Sequence, residues 1–264
     1  MSTILFIGAH QDDETLSMGA AVINHVKAGH RVCVGCVTDG RSSGIRGSQG
    51  TPSDINAFIK ARNAEMIYAI QNMGASFIEG STARLQDGTL STRETASFPG
   101  DDGNDLRTVN PAVLARVRDL LRQASINTGV PVSQIKVKTH SHHDVHPDHR
   151  AVCQAVLYLL NVTKEISDVR LYVSPGQWDS NLVYKGKTYK TAAELGASQE
   201  SNATYKDNIK TAASGYVKVY TTPSWGGLGA AQYGIGYLSV KSLFDVVASR
   251  KYSYYHVPPV VTMP

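Results

Sequence analysis

Residues 4–19 read ILFIGAHQDDETLSMG. Four apolar residues end at Gly8-Ala9, and His10, Asp12, Asp13 and Glu14 then arrive within five positions. Leu16, Gly19, Ala20, Ile23 and Val26 follow at helical spacing. This is the pattern of a buried strand running directly into a helix, with three carboxylates and an imidazole at the junction. Open α/β sheets bind ligands at such junctions, outside the carboxyl ends of their strands. Charges beside a buried strand are costly unless paired or bound to a metal. A plainer reading is that the acidic residues only complement the positive end of the helix dipole.

Outward from this stretch, His30 and Arg31 lead into a strand over 32–38. Strand, helix and strand in so short a span form a βαβ unit, which implies parallel pairing and a right-handed crossover. The Gly- and Ser-rich loop 41–53 lies just past a strand's carboxyl end, where it could cover a site. A helix follows over 54–73, with Arg62 inside its apolar stripe and Glu65 three positions on. That spacing brings two side chains together, so a buried Arg62–Glu65 pair is expected.

A short strand over 75–78 precedes a long loop, 80–107, which holds Asp87-Gly88 and an acidic cluster of Asp101, Asp102 and Asp105. The cluster reads as an exposed turn. Asn110-Pro111 opens the next helix as its cap and first residue. A strand over 135–139 then delivers a second dense segment, HSHHDVHPDH at 140–149, with five of the nine histidines of the chain. Pro147 suits a first helical position, and the helix runs to 161 with His149 turned towards the sheet. Further on, the pattern predicts a strand over 169–173, a helix over 202–214, a short strand over 217–220 and a closing helix over 240–248. The whole is an α/β fold with a mostly parallel sheet, and no repeat or linker divides residues 1–264, which read as one domain.

The bulk properties exclude several classes. The net charge of +4, with no long run among the 26 Lys and Arg, argues against nucleic-acid binding. No apolar run has the length of a membrane span. The N-terminus lacks a basic segment followed by an apolar one and a cleavage site, so a cytoplasmic enzyme is the expectation. A homo-oligomer is neither required nor excluded. Cys33 and Cys36 lie on a strand, where side chains alternate, so they read as small buried hydrophobes rather than a redox pair. Twelve of the thirteen tyrosines and both tryptophans, Trp178 and Trp225, follow residue 157. They are either a platform for sugar rings or ordinary packing.

Two imidazoles and a carboxylate, His10, Asp13 and His149, make a ligand set of the kind that holds a catalytic zinc (Zn2+) with one position open to water. They converge if their two strands are parallel members of one sheet. Asp12 is then available as the base that takes a proton from water, and His146 as a donor to an oxyanion. The sum is metal-assisted hydrolysis of an amide or ester. Three rivals use some of the same residues. A non-haem iron site takes similar ligands, but usually in a β-barrel, whereas this chain alternates strands with long helices. A dinucleotide site needs glycines where this chain has carboxylates. A metal-binding protein without catalysis would need neither Asp12 nor His146.

The segment AHQDDE at 9–14 resembles the AHPDDE signature of the LmbE-like / PIG-L zinc de-N-acetylases, and HPDH at 146–149 matches that family's second signature. The two occur in the same order, about 130 residues apart. The resemblance continues through Thr38-Asp39-Gly40, the Arg62/Glu65 helix, Asp87-Gly88 and the segment with Tyr205, Lys206 and Lys210. It implies a Rossmann-like three-layer sandwich, with His10, Asp13 and His149 as zinc ligands and Asp12 as general base. It further implies that His146 stabilises the oxyanion and that Asp148 orients that imidazole. Arg62, Asp39, Asp87 and Asp144 become substrate-binding candidates.

The implied reaction removes an N-acetyl group from a small amino-sugar or glycoside such as an N-acetylglucosamine compound. A related amide in thiol metabolism or antibiotic biosynthesis is the alternative. The chain departs from the family pattern twice. Gln11 replaces the usual proline. Asp144 and Val145 stand where some members have an oxyanion-assisting tyrosine, which brings His142, His143 or a C-terminal tyrosine forward for that task.

Overall fold

The computed structural model describes residues 1–90, 109–201, 233–250 and 252–258. The acidic cluster at 101–105, the helix expected over 202–214, the strand over 217–220 and Trp225 lie outside these residues. The described chain runs β1 (Thr3–Gly8), α1 (Asp13–Leu16), α2 (Gly19–Lys27), β2 (Arg31–Cys36), α3 (Ile55–Asn72), β3 (Ser76–Ile78), α4 (Pro111–Thr128), β4 (Lys136–His140), α5 (Pro147–Asn161) and β5 (Val169–Val173). It continues with β6 (Leu182–Tyr184), β7 (Lys187–Tyr189), β8 (Ser198–Ser201), α6 (Ile235–Ser239), α7 (Lys241–Arg250) and β9 (Tyr252–His256).

One seven-stranded sheet has the order β3-β2-β1-β4-β5-β9-β8. Strands β1 to β5 are parallel, and β9 joins β5 antiparallel. Alternation along β1 sends Ile4 and Phe6 to a core shared with α2, α3 and α7, and Leu5 and Ile7 to a core shared with α4 and α5. Cys36 and Cys33 divide in the same way between the two faces, as their spacing requires. The result is the expected α/β three-layer sandwich with a mostly parallel sheet.

Three features differ from the sequence expectation. The first helix is broken, because α1 ends at Leu16 and α2 starts at Gly19. The helix near 240–248 does not close the fold, since β9 follows it and occupies the edge of β5. A separate hairpin of β6 and β7 turns through Lys185 and Gly186, both at positive φ. These late strands are short and tyrosine-rich, without the apolar run that marks a buried parallel strand.

Sheet order decides where a ligand can sit. The chain moves outward from β1 through β2 to β3, then returns to the other side of β1 with β4 and β5. The carboxyl ends of β1 and β4 therefore flank the topological switch point, the crevice where open α/β sheets bind ligands.

Arg116, 1% exposed on α4, anchors the segment that follows β3. Its guanidinium donates to Thr82 O, Cys36 O and Glu79 Oε1, with Asp119 Oδ2 at 3.3 Å. Further along, Leu85 bridges Thr38 and exchanges backbone hydrogen bonds with Val37 and Asp39. These ties carry Asp87 to the crevice. Arg116→Ala leaves the buried Cys36 carbonyl without this donor and is expected to cost about 1–3 kcal/mol. Arg118→Ala breaks a partly exposed pair with Glu165 and is expected to cost less than about 1 kcal/mol. Midpoints of urea unfolding distinguish the two.

Candidate active site

Both dense segments arrive at the switch point. His10 leaves the end of β1, and a hydrogen bond of 2.7 Å from its backbone N–H to Asp13 Oδ2 folds the junction back on itself. Asp12 caps α1 with φ 141°, ψ −23°, a conformation that disfavours any residue with a Cβ. Holding it there costs about 1–3 kcal/mol, the kind of strain that concentrates at functional sites. On the other side, His146 caps α5 and His149 lies in its first turn. Pro147 at the start of α5 confirms the helix start read from the sequence.

The side chains of His10, Asp13 and His149 converge. His10 Nδ1 lies 3.2 Å from His149 Nε2, His149 Nε2 lies 3.2 Å from Asp13 Oδ1, and His10 Nδ1 lies 3.7 Å from Asp13 Oδ2. A tetrahedral zinc with ligands near 2.0–2.2 Å spaces its ligand atoms about 3.3 Å apart, the spacing at which His149 Nε2 meets both His10 Nδ1 and Asp13 Oδ1, while His10 Nδ1 meets the other oxygen of Asp13. The opposite ring nitrogens also fit. His149 Nδ1 faces Asp144 Oδ2 at 3.0 Å, and His10 Nε2 faces Asp87 Oδ1 at 3.1 Å and Asp148 Oδ2 at 3.3 Å. A ligating histidine normally gives its second nitrogen to a carboxylate in this way. Three sets of ligand-type side chains share these residues, His10/His146/His149, Asp13/His140/His149 and His10/Asp87/Asp148, so more than one combination of ligands meets at the junction.

Electrostatics follow from burial. Desolvation opposes charge on His10, but Asp148 and Asp87 outweigh it and raise its pKa to about 9. Burial pushes Asp12 up to about 7 against the pull of Arg62. Burial also depresses His146, to about 3, with His149 and His10 adding to the effect. His146 is thus neutral, and its Nδ1 accepts the Asp148 backbone N–H at 3.2 Å. The ring proton therefore sits on Nε2.

The remaining expected residues divide. Arg62 lies in the cleft wall, donating to Asp12 Oδ2 at 3.2 Å and to Gly40 O at 2.9 Å. The expected Arg62–Glu65 pairing is corrected. Glu65 accepts the backbone N–H groups of Tyr233, Ile235 and Gly236, because at the start of α6 unpaired amides are the nearer partners. Asp87 faces the cleft and accepts from Ser42 N at 2.9 Å. Asp144 also lines the cleft, but its oxygens are engaged by His149, the His146 N–H and the Ser174 hydroxyl. Asp39 is not brought to the cleft; it holds Arg41 and accepts the Asp87 N–H. The Asp148 carboxylate meets His10 and the Gly88 N–H, and its backbone N–H donates to His146 Nδ1.

His142 and His143 pack against each other with ring centroids 4.3 Å apart, and neither lines the cleft. Among the described aromatics, Trp178 packs on Tyr252 and Tyr254 instead of forming a sugar platform. The sequence reading missed His140, whose ring stacks on His149 at 3.8 Å and whose Nε2 accepts the Ala9 N–H. The signal for it was its place as the first residue of the dense segment, directly after the strand read over 135–139.

Gln11, the residue in place of a proline, donates to Asn63 Oδ1 at 2.8 Å and to Thr38 O at 3.3 Å. Arg84 also donates to Asn63 Oδ1, so a chain of polar contacts joins the site to the loop after β3. The cleft itself has a volume of about 330 Å³, within the range of small-molecule sites.

The family model described as PIG-L: GlcNAc-PI de-N-acetylase matches residues 5–160, more than half of the chain. The chain belongs to the PIG-L family. No curated protein sequence matches it significantly. Among solved structures, it resembles a triple mutant of a deacetylase from the teicoplanin biosynthetic pathway, with TM-score 0.59 and 16% identity over 96% of this chain and 97% of the other. The zinc-inhibited form of teicoplanin deacetylase Orf2 gives TM-score 0.54 and 18% identity, over 96% and 97%. The N,N'-diacetylchitobiose deacetylase of Pyrococcus horikoshii gives 0.52 and 14%, over 98% and 84%. At these identities the likeness establishes the fold. Among the described residues, no helix of this PIG-L member is long and apolar enough to cross a membrane.

Gly40 sets a tight contact beside Arg62. It has φ +74°, and a Cβ there would lie 2.2 Å from Gln11 Oε1 and 2.9 Å from Arg62 Cδ. Gly40→Ala is expected to cost more than the about 1–2 kcal/mol of a left-handed backbone alone. Adding Gln11→Ala is expected to recover part of the loss. A double-mutant cycle in urea that returns zero coupling refutes this packing account.

Proposed function

We propose that this PIG-L member is a zinc-dependent N-deacetylase acting on a small N-acetylated amino-sugar or glycoside, such as an N-acetylglucosamine compound. The observation that carries the reading is the meeting of the two signatures. His10 and His149, 139 residues apart, face each other at 3.2 Å with the Asp13 carboxylate against them. Family membership supplies the reaction class. The solved relatives that act on, or whose pathways concern, teicoplanin and diacetylchitobiose support an acetylated sugar as substrate.

His10, Asp13 and His149 would hold the ion, which supplies Lewis-acid polarisation of the amide carbonyl and acidifies water. Asp144 behind His149, and Asp87 and Asp148 behind His10, fix the two rings so that the same nitrogens always face inward. Asp12 takes the proton of the attacking water and returns it to the departing amine. Arg62 holds one oxygen of that carboxylate in place and keeps a buried negative charge partnered. His146 is edge-on to His10, with ring centroids 4.6 Å apart, and lines the cleft. Its Nε2–H serves as a donor to the oxyanion. Asp87, Arg62 and the Ser42 hydroxyl region offer partners for sugar hydroxyls.

Acetate release from a panel of N-acetylated sugars is expected to stop after thorough chelation and to return with zinc. Activity that survives complete metal removal overturns the zinc dependence. Asp12→Asn is expected to lower kcat by about 10²–10⁴-fold with metal content unchanged, whereas His149→Ala is expected to lose the metal itself. Elemental analysis beside the kinetics separates these outcomes.

A further inference from the structure

We infer that Gln11 is a positioning residue for Asp12: its side-chain amide holds the peptide ahead of that carboxylate at the angle that turns it into the cleft. This rests on the reading of Asp12 as the base. Asp12 lines the cleft, whereas Gln11 is fully buried and does not. Gln11 can therefore act on the reaction only through the residues beside it, His10 and Asp12.

The angle in question is φ of Asp12, 141°. It is the rotation of the planar Gln11–Asp12 peptide about the Asp12 N–Cα bond, so whatever grips that plane sets it. Left to itself, a residue with a Cβ leaves this region. The plane is gripped at both edges. On one, the Gln11 carbonyl accepts from Arg62 Nη2 at 3.2 Å, and the same nitrogen donates to Asp12 Oδ2 at 3.2 Å. On the other, the Asp12 N–H donates to Glu14 Oε2 at 3.1 Å.

These bonds stop the plane from rocking, but they do not fix where it begins. It begins at the Gln11 Cα, and the side chain tethers that atom. Nε2 donates to Asn63 Oδ1 at 2.8 Å and to Thr38 O at 3.3 Å. Arg62 and Asn63 are consecutive on α3, so one turn of helix holds both the carbonyl and the side chain of Gln11. Asn63 is itself held from its far side by Arg84, whose guanidinium also pairs with Glu79.

Stability alone does not account for this glutamine. Gln11 Oε1 is buried and accepts no hydrogen bond among the described residues, a state that costs free energy. The amide also fills space that a glycine leaves open, since a Cβ on Gly40 would lie 2.2 Å from Oε1. An apolar side chain of the same length would occupy that space without an orphaned acceptor. It would lack only the two bonds that Nε2 donates.

Gln11→Met keeps the volume and removes both donations. kcat is expected to fall by about tenfold with KM level, the low end of what strain of this kind is worth. Zinc per chain should stay unchanged, since His10 keeps its own partners. In a crystal structure of the variant, φ of Asp12 should leave the region near 141° for one that suits an ordinary residue. Asn63 is only half-buried, so its variants test the same tether should Gln11→Met misfold. Asn63→Leu removes the acceptor and should reproduce the loss, whereas Asn63→Asp keeps that oxygen and should hold the wild-type kcat.

A Gln11→Met enzyme with wild-type kcat overturns the inference, and so does one in which Asp12 keeps its φ. Equal kcat for Asn63→Leu and Asn63→Asp does the same. Loss of zinc from Gln11→Met assigns the glutamine to His10 and equally overturns it. A merely structural Gln11 would lower the urea midpoint and leave kcat per folded enzyme level. Failure of the base reading looks different, because Asp12→Asn then works at the wild-type rate whatever stands at position 11. Should no acetylated sugar be turned over with zinc present, the deacetylase reading fails, and φ of Asp12 in Gln11→Met still decides whether the glutamine holds it.

Discussion

The parallel pairing of β1 with β4 is the contact on which everything else depends. The backbone ladder runs from Ile4↔Lys136 to Phe6↔Lys138. Side chains then take over, with the Thr139 hydroxyl donating to Ile7 O and His140 Nε2 accepting the Ala9 N–H. The ladder ends at Phe6↔Lys138, and the crevice that His10 and His149 enter lies just beyond it. Two short segments, each ordinary as a strand–helix junction, become a site only because the sheet places them side by side.

Such a site concentrates charge in a dry place, and each ionisable group has a partner that makes this tolerable. Asp13 is flanked by His149 and His140, which hold its pKa well below the usual range despite burial. Asp144 is depressed in the same way by His149. Asp12 differs, since Arg62 is its main cationic partner and its backbone is strained. A carboxylate held in an unfavourable conformation with a high pKa departs from local consistency, as functional residues do.

Much of this was legible in the amino-acid order. The run ILFIGA and the periodic residues after it specify β1 and its helix, and Asn110-Pro111 and His146-Pro147 mark helix starts because proline needs no amide partner there. The convergence of His10, Asp13 and His149 followed once both strands were read as parallel. What escaped were contacts that depend on neighbours distant in sequence. Glu65 looked like the partner of Arg62 because only helix spacing was visible, while the competing amides of Tyr233 and Ile235 lie 168 and 170 residues away. Asp39 and Asp144 looked alike as substrate-binding candidates, yet the fold turns the first towards Arg41 and the second towards the His149 ring. The short late strands carry too little apolar pattern to be read as members of the sheet.

Strand β9, at Tyr252–His256, is nearly the last part of the chain, yet it pairs directly with β5 at residues 171–173. During synthesis the parallel half of the sheet is therefore complete, with its catalytic crevice framed, while one border of β5 still has open amides and carbonyls. An open border of this kind templates pairing with other chains. The interval between the emergence of β5 and that of β9 is thus the period in which a nascent molecule is most exposed to aggregation. A ribosome pause or a holding chaperone acting over that interval would govern its yield.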